Sequence, residues 1–74
     1  MTKVQYKKLR KYWGWAYIDQ DKIELHHKLK GKKHLEIMLH EKMHLILPDH
    51  EEKAILRISK DICEMLWKDG YRKL

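Results

Sequence analysis

The stretch "LHEKMHLILPDHEE", residues 39–52, decides how this chain is read. Two histidines stand four apart with a glutamate directly after the first, then come a proline, an aspartate, a third histidine and two glutamates. Seven of these fourteen residues can ligate a metal or carry a proton. The same stretch sets the architecture. Leu35, Met38, Leu39, Met43 and Ile46 recur at helical spacing from about residue 32 to residue 47, with Gly31 just before them. Pro48 ends this helix, because the residue before a proline is pushed out of the α region. Asp49 then reads as the N-cap of a second helix, with Glu52 three residues on as its capping-box partner. Ile55, Ile58, Ile62, Met65 and Leu66 form the buried face of that helix, and Gly70 is a suitable residue just past its end.

Upstream of Gly31 the period changes to that of strands. "KVQYKKL" alternates weakly through Val4 and Tyr6, whereas "WAYID" and "KIELH" are clearer. In the last of these Ile23 and Leu25 share one face, and Lys22, Glu24 and His26 the other, the pattern of a half-buried strand. Asp19-Gln20-Asp21 supplies a hairpin turn, and Gly14 marks the bend between the first two strands. The expected fold is α+β: a three-stranded antiparallel β-meander followed by an antiparallel two-helix hairpin packed on one face of it. Trp13, Trp15 and Trp67 are expected to anchor the core, and Cys63 to be a buried small hydrophobe.

The 74 residues correspond to one small domain, 1–74, near the size at which an apolar core holds a fold unaided. A bound metal would be a useful staple at this size. The single cysteine excludes an internal disulfide framework and suits a reducing compartment. No run of eighteen apolar residues is present, and the basic N-terminus leads into no apolar signal-peptide core, so neither a membrane-spanning nor a secreted protein is expected. Seventeen Lys and Arg against eleven Asp and Glu give a net charge of +6, concentrated in "KKLRK" (7–11) and "KLKGKK" (28–33). Such blocks meet nucleic acid or acidic surfaces in some proteins, and in many others are only a solvated face.

His40, Glu41 and His44 satisfy H-E-x-x-H. On a helix, residues four apart lie one turn above each other, so two imidazoles can reach one zinc ion at about 2.0–2.1 Å. Glu41 lies beside the metal, where a carboxylate can accept a proton from water. At about 100° per residue Ile37, His40, Glu41 and His44 fall on one side of the helix, and Leu35, Leu39 and Ile46 on the opposite side, against the sheet. The bland alternative is a set of exposed helix histidines in a histidine-rich chain. Zinc needs a third protein ligand, for which Glu52 is preferred because it sits in the first turn of the second helix, level with His44. Asp49 and His50 are the alternatives. His50 follows His40 by ten residues, as in longer zincin motifs, but Leu47 and Pro48 stand where that motif has its glycine and the residue after it. His26, His27 and His34 gather near the strand–helix junction and read as solvated side chains.

From Trp13 to Arg72 the chain resembles small phage-encoded H-E-x-x-H zinc metallopeptidases, a minimal zincin-like family. The likeness is carried by the Trp13-Gly14 turn, the hairpin ending in "KIELH", the segment "LHEKMHLILPD" and the terminal "LWKDGYR". It implies a zincin-like fold and Zn²⁺ as cofactor, with His40, His44 and Glu41 in the family's motif positions and Pro48, Asp49 and Glu52 in its acidic segment. His50 stands where relatives are expected to carry an apolar residue. The likeness also implies the cytoplasm of the phage's host as the site of action.

The reaction expected is hydrolysis of a peptide bond by a zinc-bound water that Glu41 deprotonates, Glu41 then passing the proton to the leaving amine. A peptide or protein substrate could lie extended along an open sheet edge. Tyr71, just after the Gly70 break, is a candidate oxyanion donor, its alternative being to pack at the helix end. So short a chain leaves little material for cleft walls, so a homo-oligomer or a host protein could complete them. Two other classes compete. One is a zinc-stapled interaction protein without turnover, a modulator of a host factor. The other is a basic nucleic-acid-binding module, since two helices joined by a tight turn resemble a helix-turn-helix; against it, the second helix begins "DHEEK", whose negative charge repels phosphate.

Overall fold

A computed structural model describes residues 1–72. In chain order it contains β1 (Lys3–Lys7), β2 (Gly14–Tyr17), a short 3₁₀ turn (Ile18–Gln20), β3 (Lys22–His26), α1 (Gly31–Ile46) and α2 (Glu52–Lys68). The hairpin expected around Asp19-Gln20-Asp21 is present: β2 pairs antiparallel with β3, Trp15 opposite Glu24, and Asp21 closes the turn in the left-handed region at φ 45°. Asx residues tolerate that conformation better than other side chains.

The meander is not formed. Strand order is β1-β3-β2, and β1 runs parallel to β3, so the sheet is mixed and β3 is its centre. The loop of residues 8–13 carries the chain across the end of β3, where the His27 N–H donates to Lys7 O at 3.0 Å and the His26 N–H to Trp13 O at 2.8 Å. Six residues reach up to about 20 Å, ample for the roughly 9–10 Å across two strand spacings. Thr2 Oγ1 and the Lys3 N–H bond to the side chain and backbone of Asp21, fixing the start of β1 on that edge.

Central placement also changes the environment of β3. Ile23 and Leu25 face the helices and are fully buried, as their alternation requires. Glu24, expected on a solvated face, is buried as well. It accepts hydrogen bonds from Tyr17 Oη at 2.9 Å and Lys7 Nζ at 2.7 Å, with Lys22 Nζ at 3.8 Å. The Lys7 bond is the main reason its carboxyl is held below the usual range, against the opposing effect of burial.

The helix pair is antiparallel. Lys32 at the start of α1 pairs with Glu64 near the end of α2, while His44 near the end of α1 meets Glu52 at the start of α2. α1 packs on the sheet against β2 and β3, and the main partner of α2 is α1. Ile55, Ser59 and Cys63, four apart, are the buried positions of α2, and Met65 is exposed instead of buried. Helix α1 ends where Pro48 requires, with Leu47 at φ −123°. At the other end of the pair, Gly70 at φ 93° closes α2: its N–H reaches Trp67 O and the Tyr71 N–H reaches Leu66 O, both at 3.1 Å, a Schellman motif.

Two expectations about faces are overturned. Ile37 and Glu41 point at β2, not away from it, and Ile46 is exposed. Trp13 and Trp15 are about half exposed, not core anchors; Trp67 is half-buried. The alternation through β2 explains both. Gly14 and Ala16 turn toward α1, which sends the indoles to the other face, and Gly14 has no side chain to keep the helix away.

Candidate metal centre

The H-E-x-x-H residues occupy the last two turns of α1, and the turn after Pro48 brings Glu52 back over them. The second helix starts two residues later than the capping pattern suggests. Its N-cap is Glu51, in extended conformation with no side-chain cap, because the His50 N–H donates to Leu47 O and prolongs the turn. Asp49 therefore caps nothing, and Glu52 has no capping partner. Its carboxylate spans the two histidines instead: Oε1 is 2.7 Å from His40 Nε2, and Oε2 is 2.9 Å from His44 Nε2. The two Nε2 atoms are 3.2 Å apart, with the rings edge to face.

These donors fit a zinc ion in composition and nearly in spacing. Two imidazoles and one carboxylate form a His₂Glu set, and four-coordinate zinc with ligands at about 2.0–2.1 Å has donors about 3.3 Å from one another. The Nε2–Nε2 distance already matches. The two Nε2–carboxylate distances are those of hydrogen bonds, a few tenths of an ångström too short. Glu52 can supply that adjustment, since its side chain is 68% exposed while those of His40 and His44 are 14% and 23% exposed. Among the described residues His40 Nδ1 is buried without a hydrogen-bond partner, so none of them orients that ring through it. Among the described residues this is the one group of three or more His, Cys, Asp or Glu whose donor atoms converge, lying within 4.8 Å of one another.

Glu41 lines the same cleft, one residue round the helix from His40. Burial, reinforced by the nearby charge of Glu52, pushes its carboxyl up to about 7. Gly14 makes that burial achievable: a Cβ there would stand 2.9 Å from Glu41 Cγ and 3.1 Å from its Oε2. The cleft has a volume of about 580 Å³. One wall follows β2, an edge strand, through Trp13, Trp15 and Ile18, with Tyr12 alongside. The other is α1, presenting Ile37, His40, Glu41 and His44, and Glu52 stands at the mouth.

The remaining sequence candidates lie elsewhere. Asp49 and His50 are exposed in the inter-helix turn, outside the converging group. Tyr71 lines a different hollow, with Tyr6, His34 and Trp67, and does not fold over the site. His34 is buried, its Nε2 2.8 Å from Tyr6 Oη, whereas His26 and His27 stack on each other at 5.0 Å. The cleft wall of Tyr12, Trp13, Trp15 and Ile18 was missed by sequence reasoning. The signal was available: in "WGWAY" large and small residues alternate, and the small ones mark the side that a helix approaches.

Fold and site together define a class: a small α+β protein with a mixed sheet and a two-histidine, one-carboxylate cluster at a helix–strand seam. No protein-family model, curated protein or solved structure matches the chain, so any functional reading rests on the chemistry of this seam. Among the described residues no helix is long and apolar enough to cross a membrane.

Proposed function

We propose that the protein is a zinc-dependent metallopeptidase of the minimal H-E-x-x-H kind, with His40, His44 and Glu52 as metal ligands and Glu41 as general base. The observation that carries this reading is the convergence of those three donors beside a half-buried glutamate in one cleft. When bound, zinc would supply Lewis acidity, polarising the scissile carbonyl and making water acidic enough to react near neutral pH. His40 and His44 hold their donors one helical turn apart, and Glu52 closes the set from the facing helix. Glu41 takes a proton from the attacking water and delivers it to the leaving amine. A carboxyl held near 7 suits both directions of transfer. The unpaired edge of β2 along the cleft suits an extended peptide, which could add to the sheet there.

A second reading draws on the same distances. Glu52 bridges two histidines across the inter-helix turn, so zinc there would pin α1 to α2 even without turnover. Elemental analysis of native protein and His44→Ala tests the site: one zinc per chain, lost in the variant, is expected, and equal metal in both refutes it. A peptide-library cleavage assay of native protein against Glu41→Gln then separates the readings. Cleavage abolished by Glu41→Gln with zinc retained supports the peptidase; zinc without cleavage in either protein leaves the staple.

A further inference from the structure

The face of the sheet turned away from α1 carries an aromatic pattern whose edge, at Trp13 and Trp15, also borders the metal-site cleft. Along β2 and the residue before it, Trp13, Trp15 and Tyr17 alternate with Gly14 and Ala16. The small residues face α1, so the three aromatic side chains share the opposite face. Their neighbours confirm the side: Trp15 lies opposite Glu24, Tyr17 Oη bonds Glu24, and the Trp13 ring lies 5.1 Å from that of His26. Among the described residues no helix covers this face, and Trp13 and Trp15 are 50% and 45% exposed. Contiguous exposed aromatic surface of this kind marks an interaction site more often than chance.

The charge on the same face is one-sided. The strand registers place Lys3, Lys7 and Lys22 on it. Its one carboxylate within the strands, Glu24, is buried and already paired with Lys7 and Lys22. Lys8 and Lys28 lie close enough to His26 to hold its imidazole below the ordinary value, behind the larger effect of burial, so basic groups also crowd the far end of β3. A flat surface with a row of aromatic rings and flanking lysines is complementary to a polyanion whose units present flat π-faces.

We propose that this face binds single-stranded nucleic acid, with bases stacked on the exposed rings of Trp13 and Trp15 and phosphates set against Lys3, Lys8 and Lys28. Alternate residues of a strand are about 6.7 Å apart, about twice the 3.4 Å rise of stacked bases. The row therefore suits successive bases of an opened strand. Duplex is disfavoured, because its base faces are already stacked on one another and not open to the rings. The surface is unrelated to the helix-turn-helix comparison, where the acidic start of α2 opposes binding. It needs no metal.

The test is titration of the full chain with an oligothymidylate of about a dozen nucleotides, read by tryptophan quenching and by anisotropy of a labelled strand, in EDTA and again with zinc. Binding is expected in both, with quenching, and with a log–log salt slope of about −2 for three neutralised phosphates. Trp15→Ala should weaken it about tenfold or more, and Lys8→Gln with Lys28→Gln should flatten the salt slope. Trp15→Leu, which keeps apolar bulk, guards against misfolding: circular dichroism should match the native protein while affinity falls. No quenching at low salt overturns the proposal. So does equal affinity for polyglutamate or duplex that ignores Trp15, which indicates unspecific polycation attraction. Light scattering that reveals a dimer dispersed by Trp15→Ala also overturns it, because a second copy then covers the face.

Discussion

Replacing Gly14 by alanine tests the seam that holds the candidate site. The backbone at Gly14 is not among those with positive φ, so an L-residue fits its conformation. With free space, the substitution would stabilise the fold by about 0.4–1 kcal/mol through the unfolded chain. Space decides otherwise. The new Cβ would lie 2.9 Å from both Ile37 Cγ2 and Glu41 Cγ, where ordinary contacts are 3.4–4 Å, so α1 must retreat or Glu41 must swing into the cleft. Overpacking of this size costs about 1–3 kcal/mol, leaving a net loss of about 0.5–2 kcal/mol. For a domain this small each kcal/mol shifts Tm by about 4–8 °C, so thermal unfolding followed by circular dichroism should show a fall of roughly 2–16 °C. A double-mutant cycle with Glu41→Ala locates the cause: the loss should shrink when the Glu41 contacts are absent. An unchanged or raised Tm, or a loss identical in the Glu41→Ala background, would show that Gly14 does not seat Glu41 and would remove the physical basis for its burial.

Three further outcomes are expected. Zinc at about a hundredfold above its dissociation constant should add about 2.7 kcal/mol of stability and raise Tm by roughly 10 °C or more; a scan of His44→Ala should show no such rise, and an equal rise would place the metal elsewhere. In metal-free protein Glu41 is held above its ordinary value, so between about 4.5 and about 7 the folded state binds more protons than the unfolded state and stability falls as pH rises. Glu41→Gln should flatten that limb of a urea-denaturation profile, and an unchanged slope would deny the burial. Gly70→Ala, at φ 93° with nothing within 4 Å, should lose about 1 kcal/mol through backbone strain alone, measured as a lower urea midpoint at unchanged m-value.

Sequence alone determined the features set by neighbours a few residues apart. Helical spacing placed His40, Glu41 and His44 on one helix, Pro48 ended it, Gly70 closed the second, and alternation with Asp21 made the β2–β3 hairpin. Each is a local preference acting over about one helical turn or one strand pair. Glu52 was within reach of the same reasoning, because a short turn between antiparallel helices fixes which ends meet. Only tertiary structure decided the rest. β1 lies parallel to β3 through backbone and side-chain bonds to residues some twenty positions away, which no local period encodes. Equally, the side of α1 that meets the sheet was fixed where Gly14 offers no Cβ, drawing Glu41 inward and turning Trp13 and Trp15 out. Close approach between distant segments selects the face with room, and that room exists only once the sheet is assembled.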